Sequence, residues 1–192
     1  NASTTTFTYN EFHAGTNQIK IRTVGLPVVS TSENGTNTND TIVEVIDIQG
    51  RVTSRTDPRG IPTTYSYHEM TGARKQMVEA SGSLNVTTDY EADALGRTTR
   101  ALGPAHDIHE ADATGSTYTL RANARTASWT LYRDDKHEVR SGRGYIYVAS
   151  SVTHTVLVNP ISITQMDHAD RTVEAIVAKQ ADVDEAVNGD AI

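Results

Sequence analysis

A short turn motif recurs along this chain, and it constrains the possible folds more than any other feature. Asp47-Ile-Gln-Gly50-Arg51, Asp93-Ala-Leu-Gly96-Arg97 and Asp167-His-Ala-Asp170-Arg171 share one form: Asp, two residues, Gly or Asp, then Arg, followed by Thr or Val in an extended run. A looser copy, Tyr67-His-Glu69-Met-Thr-Gly72-Ala-Arg74, carries one inserted residue, and Tyr132-Arg-Asp134-Asp135-Lys136 is a candidate fifth. The step is 22 residues from Gly50 to Gly72 and 24 from Gly72 to Gly96, a period that suits one β-hairpin per repeat. The physical sense of the motif is a chain reversal. Asp bonds back to backbone N–H groups two residues on, Gly takes the positive φ, and Arg opens the returning strand near carboxylates.

The sequence between these turns is strand-like. Ile42–Asp47, Thr63–Tyr67 and Gly144–Val148 alternate β-branched or aromatic residues with polar ones, which predicts one buried and one wet face. Further turns are marked by Asn34-Gly35, Asp57-Pro58-Arg59-Gly60, Leu95-Gly96, Gly103-Pro104 and Asn188-Gly189. Strands recur roughly every 8 to 12 residues, the interval of antiparallel sheets. The expected fold class is therefore all-β, a repetitive antiparallel β-hairpin sheet. Ser30–Thr41 and Gly103–Gly115 are read as polar loops, Thr172–Ala178 as a strand, and Ala181–Ile192 as coil or a short helix.

Composition removes several function classes. The 192 residues are 36% hydrophobic, about a fifth are Thr or Ser, and 17 basic residues lie scattered among 24 acidic ones for a net charge of -7. That balance gives no phosphate-gripping basic patch, so no nucleic-acid partner is expected. Without Cys there is no disulfide, thiolate nucleophile or thiolate metal site. No apolar run approaches the roughly 20 residues of a membrane-spanning helix, so no membrane span is expected. Residue 1 is Asn rather than Met, so the chain is expected to be a processed product or a stretch of something longer.

On the residues quoted above, the chain resembles the YD-repeat or RHS family, the tyrosine-aspartate repeats of bacterial RHS proteins and of teneurin and toxin-complex shells. The segment Asp47 to Tyr67 follows the family pattern of Gly-Arg, then Thr-Asp-Pro-x-Gly, then Thr-x-Tyr-x-Tyr nearly position for position. The leading Tyr of the pattern is replaced by Ile46, Ala92 and Met166, and the Tyr90-Glu91 pair stands three residues ahead of Asp93. The resemblance covers residues 42 to 178. It implies a β-hairpin ribbon wound in a spiral, part of a hollow shell in complete family members. Five units fall short of a closed shell, so the resemblance also implies sheet edges covered by another chain or by the rest of a longer shell. The organisation expected is an N-terminal β segment and polar loop over 1–41, hairpin repeats over 42–178 and a tail over 179–192. Asp57-Pro58-Arg59-Gly60 lies inside a repeat and is followed by Ile61, so it is read as a turn, and the family's self-cleaving role is not carried over to it.

The chemistry-bearing residues form no catalytic set. The densest polar cluster, His106, Asp107, His109, Glu110 and Asp112, lacks an H-E-x-x-H helix, and no metal or other cofactor is expected. The acidic stretches around Asn37–Asp40 and Asp182–Asp190 lack EF-hand spacing. No G-x-S-x-G surrounds Ser83 or Ser141, and Asp134 and Asp135, being adjacent, form a turn rather than an acid/base pair. The site residues expected to matter are the turn residues Asp47, Gly50, Arg51, Gly72, Asp93, Gly96, Arg97, Asp167, Asp170 and Arg171. Tyr65, Tyr67, Tyr145 and Tyr147, paired at i and i+2, either pack within the sheet or stack on a sugar ring. Asn34, Asn39 and Asn85 head glycosylation sequons, as does Asn1, and with the Thr-rich composition they fit an extracellular or cell-surface protein.

The sequence thus points to a structural, non-catalytic protein, a segment of an RHS-type β-shell or a subunit of a surface fibre. The alternative is a carbohydrate-binding or adhesion module. Thr4–Tyr9 is short and uncharged, and residues 1–10 are expected to add as a strand to the next copy, head to tail. The turn reading further expects Gly50 and Gly96 to resist a β-branched residue more than Gly15 does.

Overall fold

The computed structural model describes residues 4–112 and 114–178, so the 179–192 tail and the Asp182–Asp190 stretch lie outside the described residues. Twelve strands follow one another: β1 (Thr6–Phe12), β2 (Ile19–Gly25), β3 (Thr41–Ile46), β4 (Val52–Thr56), β5 (Pro62–Tyr67), β6 (Arg74–Glu79), β7 (Val86–Ala92), β8 (Thr98–Ala111), β9 (Tyr118–Arg133), β10 (Glu138–Ala149), β11 (Val152–Met166) and β12 (Thr172–Ala178). Strand order in the sheet follows chain order without a crossover. The described residues contain two 3-10 turns and no α-helix. The protein is all-β, an antiparallel sheet of repeated hairpins, as the alternation of β-branched and aromatic residues with polar ones between turns leads one to expect.

The chain divides into two compact units, residues 1–67 with 76–86 and residues 68–75 with 87–192. In the first, β1 to β5 form a meander whose register sets two faces. Tyr9 pairs with Arg22, Arg22 with Glu44 and Glu44 with Arg55, which lines up a charged row across β2, β3 and β4 with Tyr9 at its end. Arg22 Nε donates to Glu44 at 2.8 Å. The other face carries Ile21, Val45 and Ser54 in register. Thr6–Tyr9 are themselves paired with Gly25–Arg22 of the same chain. This corrects the expectation of a free N-terminal arm. The Thr-rich run closes on β2 because the tight His13–Gln18 turn, where His13 N–H donates to Gln18 O at 2.9 Å, brings the two strands together locally.

The second unit holds the apolar core and the longest strands. Ala127, Trp129, Leu157 and Ile161 are buried together, with Leu102, Ile146 and Ile163 packed against them. Directly paired residues share a face. Trp129 faces Gly142 across β9–β10, and Leu157 faces Gly144 across β10–β11, so each large side chain lies over a residue with none. A Cβ added at Gly144 would fall 1.8 Å from the Val156 carbonyl oxygen.

The Gly103–Gly115 stretch, expected as a loop, is mostly strand. β8 continues to Ala111, and the connection shrinks to Asp112–Thr117. Leu102 pairs with Ala127 and Ala105 with Arg125, so Gly103 and Pro104 stand as a bulge against the single residue Thr126. A bulge is where a strand accepts proline, since no ladder N–H is demanded there. A Cβ on Gly103 would meet Thr126 Oγ1 at 2.4 Å.

Two glycines separate crowding from backbone preference. Gly60 has φ 79° with nothing within 4 Å of an added Cβ, whereas Gly144 is crowded. Gly60→Ala should cost about 1 kcal/mol, the left-handed penalty alone. Gly144→Ala should cost about 3 kcal/mol through displaced backbone. Urea unfolding of the two variants checks this, and equal losses would contradict the register at Gly144.

Candidate functional site

The recurring turn is a carboxylate-centred device. At Asp47 the Gly50 N–H donates to the Asp47 backbone carbonyl at 3.0 Å, and the Asp47 N–H donates to Arg51 O at 2.8 Å. The side chain does the rest: Oδ1 accepts the N–H groups of Gln49 (3.0 Å) and Arg51 (2.8 Å), and Oδ2 accepts Arg51 Nε at 2.7 Å. The same set recurs around Asp93 with Leu95 and Arg97 and around Asp167 with Ala169 and Arg171. The fourth position is left-handed each time, with φ 81° at Gly50, 81° at Gly96 and 56° at Asp170. Asp tolerates that region better than most residues with a Cβ.

Two further turns use the device away from the Gly-Arg motif. Asp57 gathers the N–H groups of Arg59 and Ile61, and Asp112 those of Thr114, Ser116 and Thr117 with two Thr hydroxyls. The Gly72 turn is headed by His68 and is one residue longer, with φ 70° at Gly72. Gly15 also has φ 73°, so the expected contrast with Gly50 disappears. Both sit in open space, and Gly15→Val should destabilise as much as Gly50→Val in paired thermal melts. Gly96 differs, since its added Cβ would lie 3.4 Å from Thr71 Cβ.

The turn arginines do a second thing, which sequence reading missed. The Arg51 guanidinium lies 4.7 Å from the Tyr67 ring centroid, Arg74 5.8 Å from Tyr90, and Arg97 4.2 Å from Tyr132. Cations over aromatic faces attract the ring quadrupole. The signal was present as a fixed interval, since Arg51 to Tyr67 and Arg74 to Tyr90 are both sixteen residues. The long β8–β9 hairpin hides the third instance. Arg97 also grips both oxygens of Asp134, at 2.7 and 2.8 Å, while holding Asp93. The Tyr67 hydroxyl donates to Val52 O at 2.6 Å.

The other tyrosines form a different group. Tyr145 is buried, with 8% exposure, and burial, followed by the Glu110 carboxylate, pushes its phenol up to about 12. Tyr147 lies 6.1 Å from Tyr145, stacks on His154 of β11 at 4.9 Å, and has Arg121 of β9 at 4.4 Å from its centroid. Since β9 and β11 flank β10, neighbours from both sides attend this ring. Arg121 is itself paired with Glu110 at 2.7 Å. Tyr65 is half-buried on β5.

The remaining predicted residues are dispersed. His106 contacts Pro104 O at 3.0 Å, Asp107 accepts the Asn123 N–H at 3.0 Å, and Asp112 closes its own turn. Among the described residues no three His, Asp or Glu side chains are placed to hold a metal ion. Among those residues no helix is long and apolar enough to cross a membrane. Asn34 and Asn39 are exposed in the β2–β3 connection. The Asn85 amide is built into its turn, accepting the Gly82 N–H at 2.8 Å and donating to Ser83 O at 3.1 Å.

The turn carboxylates are held below their usual range. For Asp47 and Asp93, partial desolvation alone would raise the pKa, but the backbone N–H and guanidinium of the closing arginine outweigh it. For Asp57 the Ile61 N–H leads, for Asp112 the Thr117 and Thr114 hydroxyls, for Asp134 the Arg97 guanidinium, and for Asp167 that of Arg171. A depressed folded pKa means the unfolded chain binds the proton more readily. The stabilisation is therefore complete above the unfolded value, near 4, and is lost as pH falls through the folded values. Urea midpoints should stay level from pH 7 to about 5 and fall below about 4, less steeply in Asp93→Asn. A midpoint that rises on acidification would refute this.

No protein-family model matches the chain, and no curated protein matches it.

Proposed function

We propose that this chain is a structural, non-catalytic run of RHS-type β-hairpin repeats, a stretch of shell wall or a subunit of an extracellular surface fibre. The observation that carries the reading is an Arg–Tyr contact that follows the turn at a constant interval, in Arg51–Tyr67 after the Asp47-headed turn and again in Arg74–Tyr90 after the His68-headed one. A device that repeats with the chain and joins each unit to the next belongs to an extendable scaffold. Its charged groups satisfy one another, which suits a wall better than a reaction centre. β1 and β12 stand at the two ends of the strand order. They carry exposed apolar side chains: Phe7 and Tyr9 on β1, Val173 and Val177 on β12. In this reading further copies, or the rest of a longer shell, cover them.

The carbohydrate-binding alternative draws little support from the tyrosines, since Tyr145 is buried and Tyr147 is attended from both sides. A glycan array with Tyr65→Ala and Tyr147→Ala variants discriminates it, because a shell segment should show no Tyr-dependent binding.

The scaffold reading makes a direct prediction. Inserting a second copy of residues 74–96, one β6–β7 unit, directly after Gly96 should give a folded chain with more β signal by circular dichroism. Its thermal midpoint should be no lower than that of the parent, because an internal repeat adds one more neighbour interface. Unfolding or aggregation of the extended chain would overturn the reading.

A further inference from the structure

The apolar face of the β9–β10 hairpin is compatible with two strand registers. In the observed one, Trp129 stands opposite Gly142, Ala127 opposite Gly144 and Arg133 opposite Glu138. A slip of one residue is barred, because it would turn the buried face of β9 outward. A slip of two keeps every face, and β10 offers a second glycine at that distance, Gly144. Moved by two, Trp129 meets Gly144, Leu131 meets Gly142 and Ala127 meets Ile146, so large side chains still oppose small ones. The connection would shorten from residues 134–137 to residues 136–137, and two-residue loops are the commonest in hairpins.

Charge separates the two registers. Glu138, with 7% exposure, is the buried charged side chain among the described residues. Its carboxylate accepts Arg140 Nε at 2.6 Å and the Gln165 side chain, and lies 3.8 Å from Arg133 Nη1. Arg140 shares β10 with Glu138, and Gln165 is its partner on β11, so both would travel with it. Only β9 tells the registers apart. The observed pairing sets Arg133 against Glu138. The shifted pairing would set Asp135 against Glu138 and Arg133 against Arg140. Like charges directly opposite each other destabilise a sheet, and a buried carboxylate is poorly screened by salt.

We propose that Arg133 and Glu138 are a register key, which holds the β9–β10 hairpin in one of two glycine registers that its apolar face does not distinguish. Fixing register is the best-attested use of a buried ionic group, whose net contribution to stability is often small. From the surface, the Arg97 grip on Asp134 supports the same choice. The choice reaches beyond one hairpin. A slip would carry β10, and with it β11 and the Asp167 turn, about 7 Å along β9.

The test is NMR of the whole chain. Trp129 is its single tryptophan, so each register gives one indole N–H signal. The parent should show one signal, with cross-strand nuclear Overhauser contacts from Trp129 to Gly142. Arg133→Gln combined with Asp135→Lys leaves the Glu138–Arg140 contact in place and puts a cation opposite Glu138 only in the shifted register. The shifted population should rise about tenfold or more, giving a second indole signal whose contacts run to Gly144. Arg133→Gln combined with Glu138→Gln removes the charge pair outright and should give the same second signal. It carries the test should the first variant not fold. A merely stabilising ion pair would lower the thermal midpoint of the folded variants and leave one indole signal in contact with Gly142. That result would overturn the key, and so would two signals in the parent.

Discussion

The hydrogen-bonded Asp carboxylate at the head of the Asp47, Asp93 and Asp167 turns is the interaction on which the rest depends. One side chain collects two backbone N–H groups that the reversal leaves without ladder partners, and its second oxygen fixes the arginine that opens the next strand. The strand register downstream of Asp47, Asp93 and Asp167 follows from that closure, because a one-residue slip would exchange the two faces of the sheet. The device works at the surface. It needs no core, only a left-handed fourth position and a residue whose acceptor reaches its own backbone.

Packing matters more in the second unit, where the strands are long. Alternation along β9 buries Ala127 and Trp129 and exposes Ser128 between them. Gly142 and Gly144 on β10 stand opposite Trp129 and Leu157 in the register. Small residues opposite large ones let a sheet face close with few apolar side chains, in keeping with a chain that is only 36% hydrophobic.

Charge is used here for internal cohesion. Arg97 joins Asp93, Asp134 and Tyr132, and Glu110, Arg121, Tyr147 and His154 form a row drawn from four successive strands. Exposed ion pairs of this kind are individually weak, but shared partners lower the entropy lost per contact. Groups so engaged are poorly placed for substrate chemistry. That physical fact, rather than a missing motif, favours a scaffold over an enzyme as the proposed reading.

The turns were legible in the sequence because their chemistry is local. Asp47, Gly50 and Arg51 act on one another within five residues, so motif and spacing marked the Asp-headed turns, whereas the run of β8 through Gly103–Ala111 reads in sequence as a loop. The left-handed Gly15 escaped because no Asp precedes it to mark the turn. What the tertiary structure alone decided depends on strand register between distant segments. Pro104 could enter a strand only because β9 offered one residue opposite two. Thr6–Tyr9 found their partner in β2 rather than in another chain. Tyr132 met Arg97 across a long hairpin, and His137 met His168 across two turns. None of these partners is a sequence neighbour. Their pairing follows from hydrogen-bonded ladders whose side-chain faces reverse with every residue, so contact at that range exists only once the register is set.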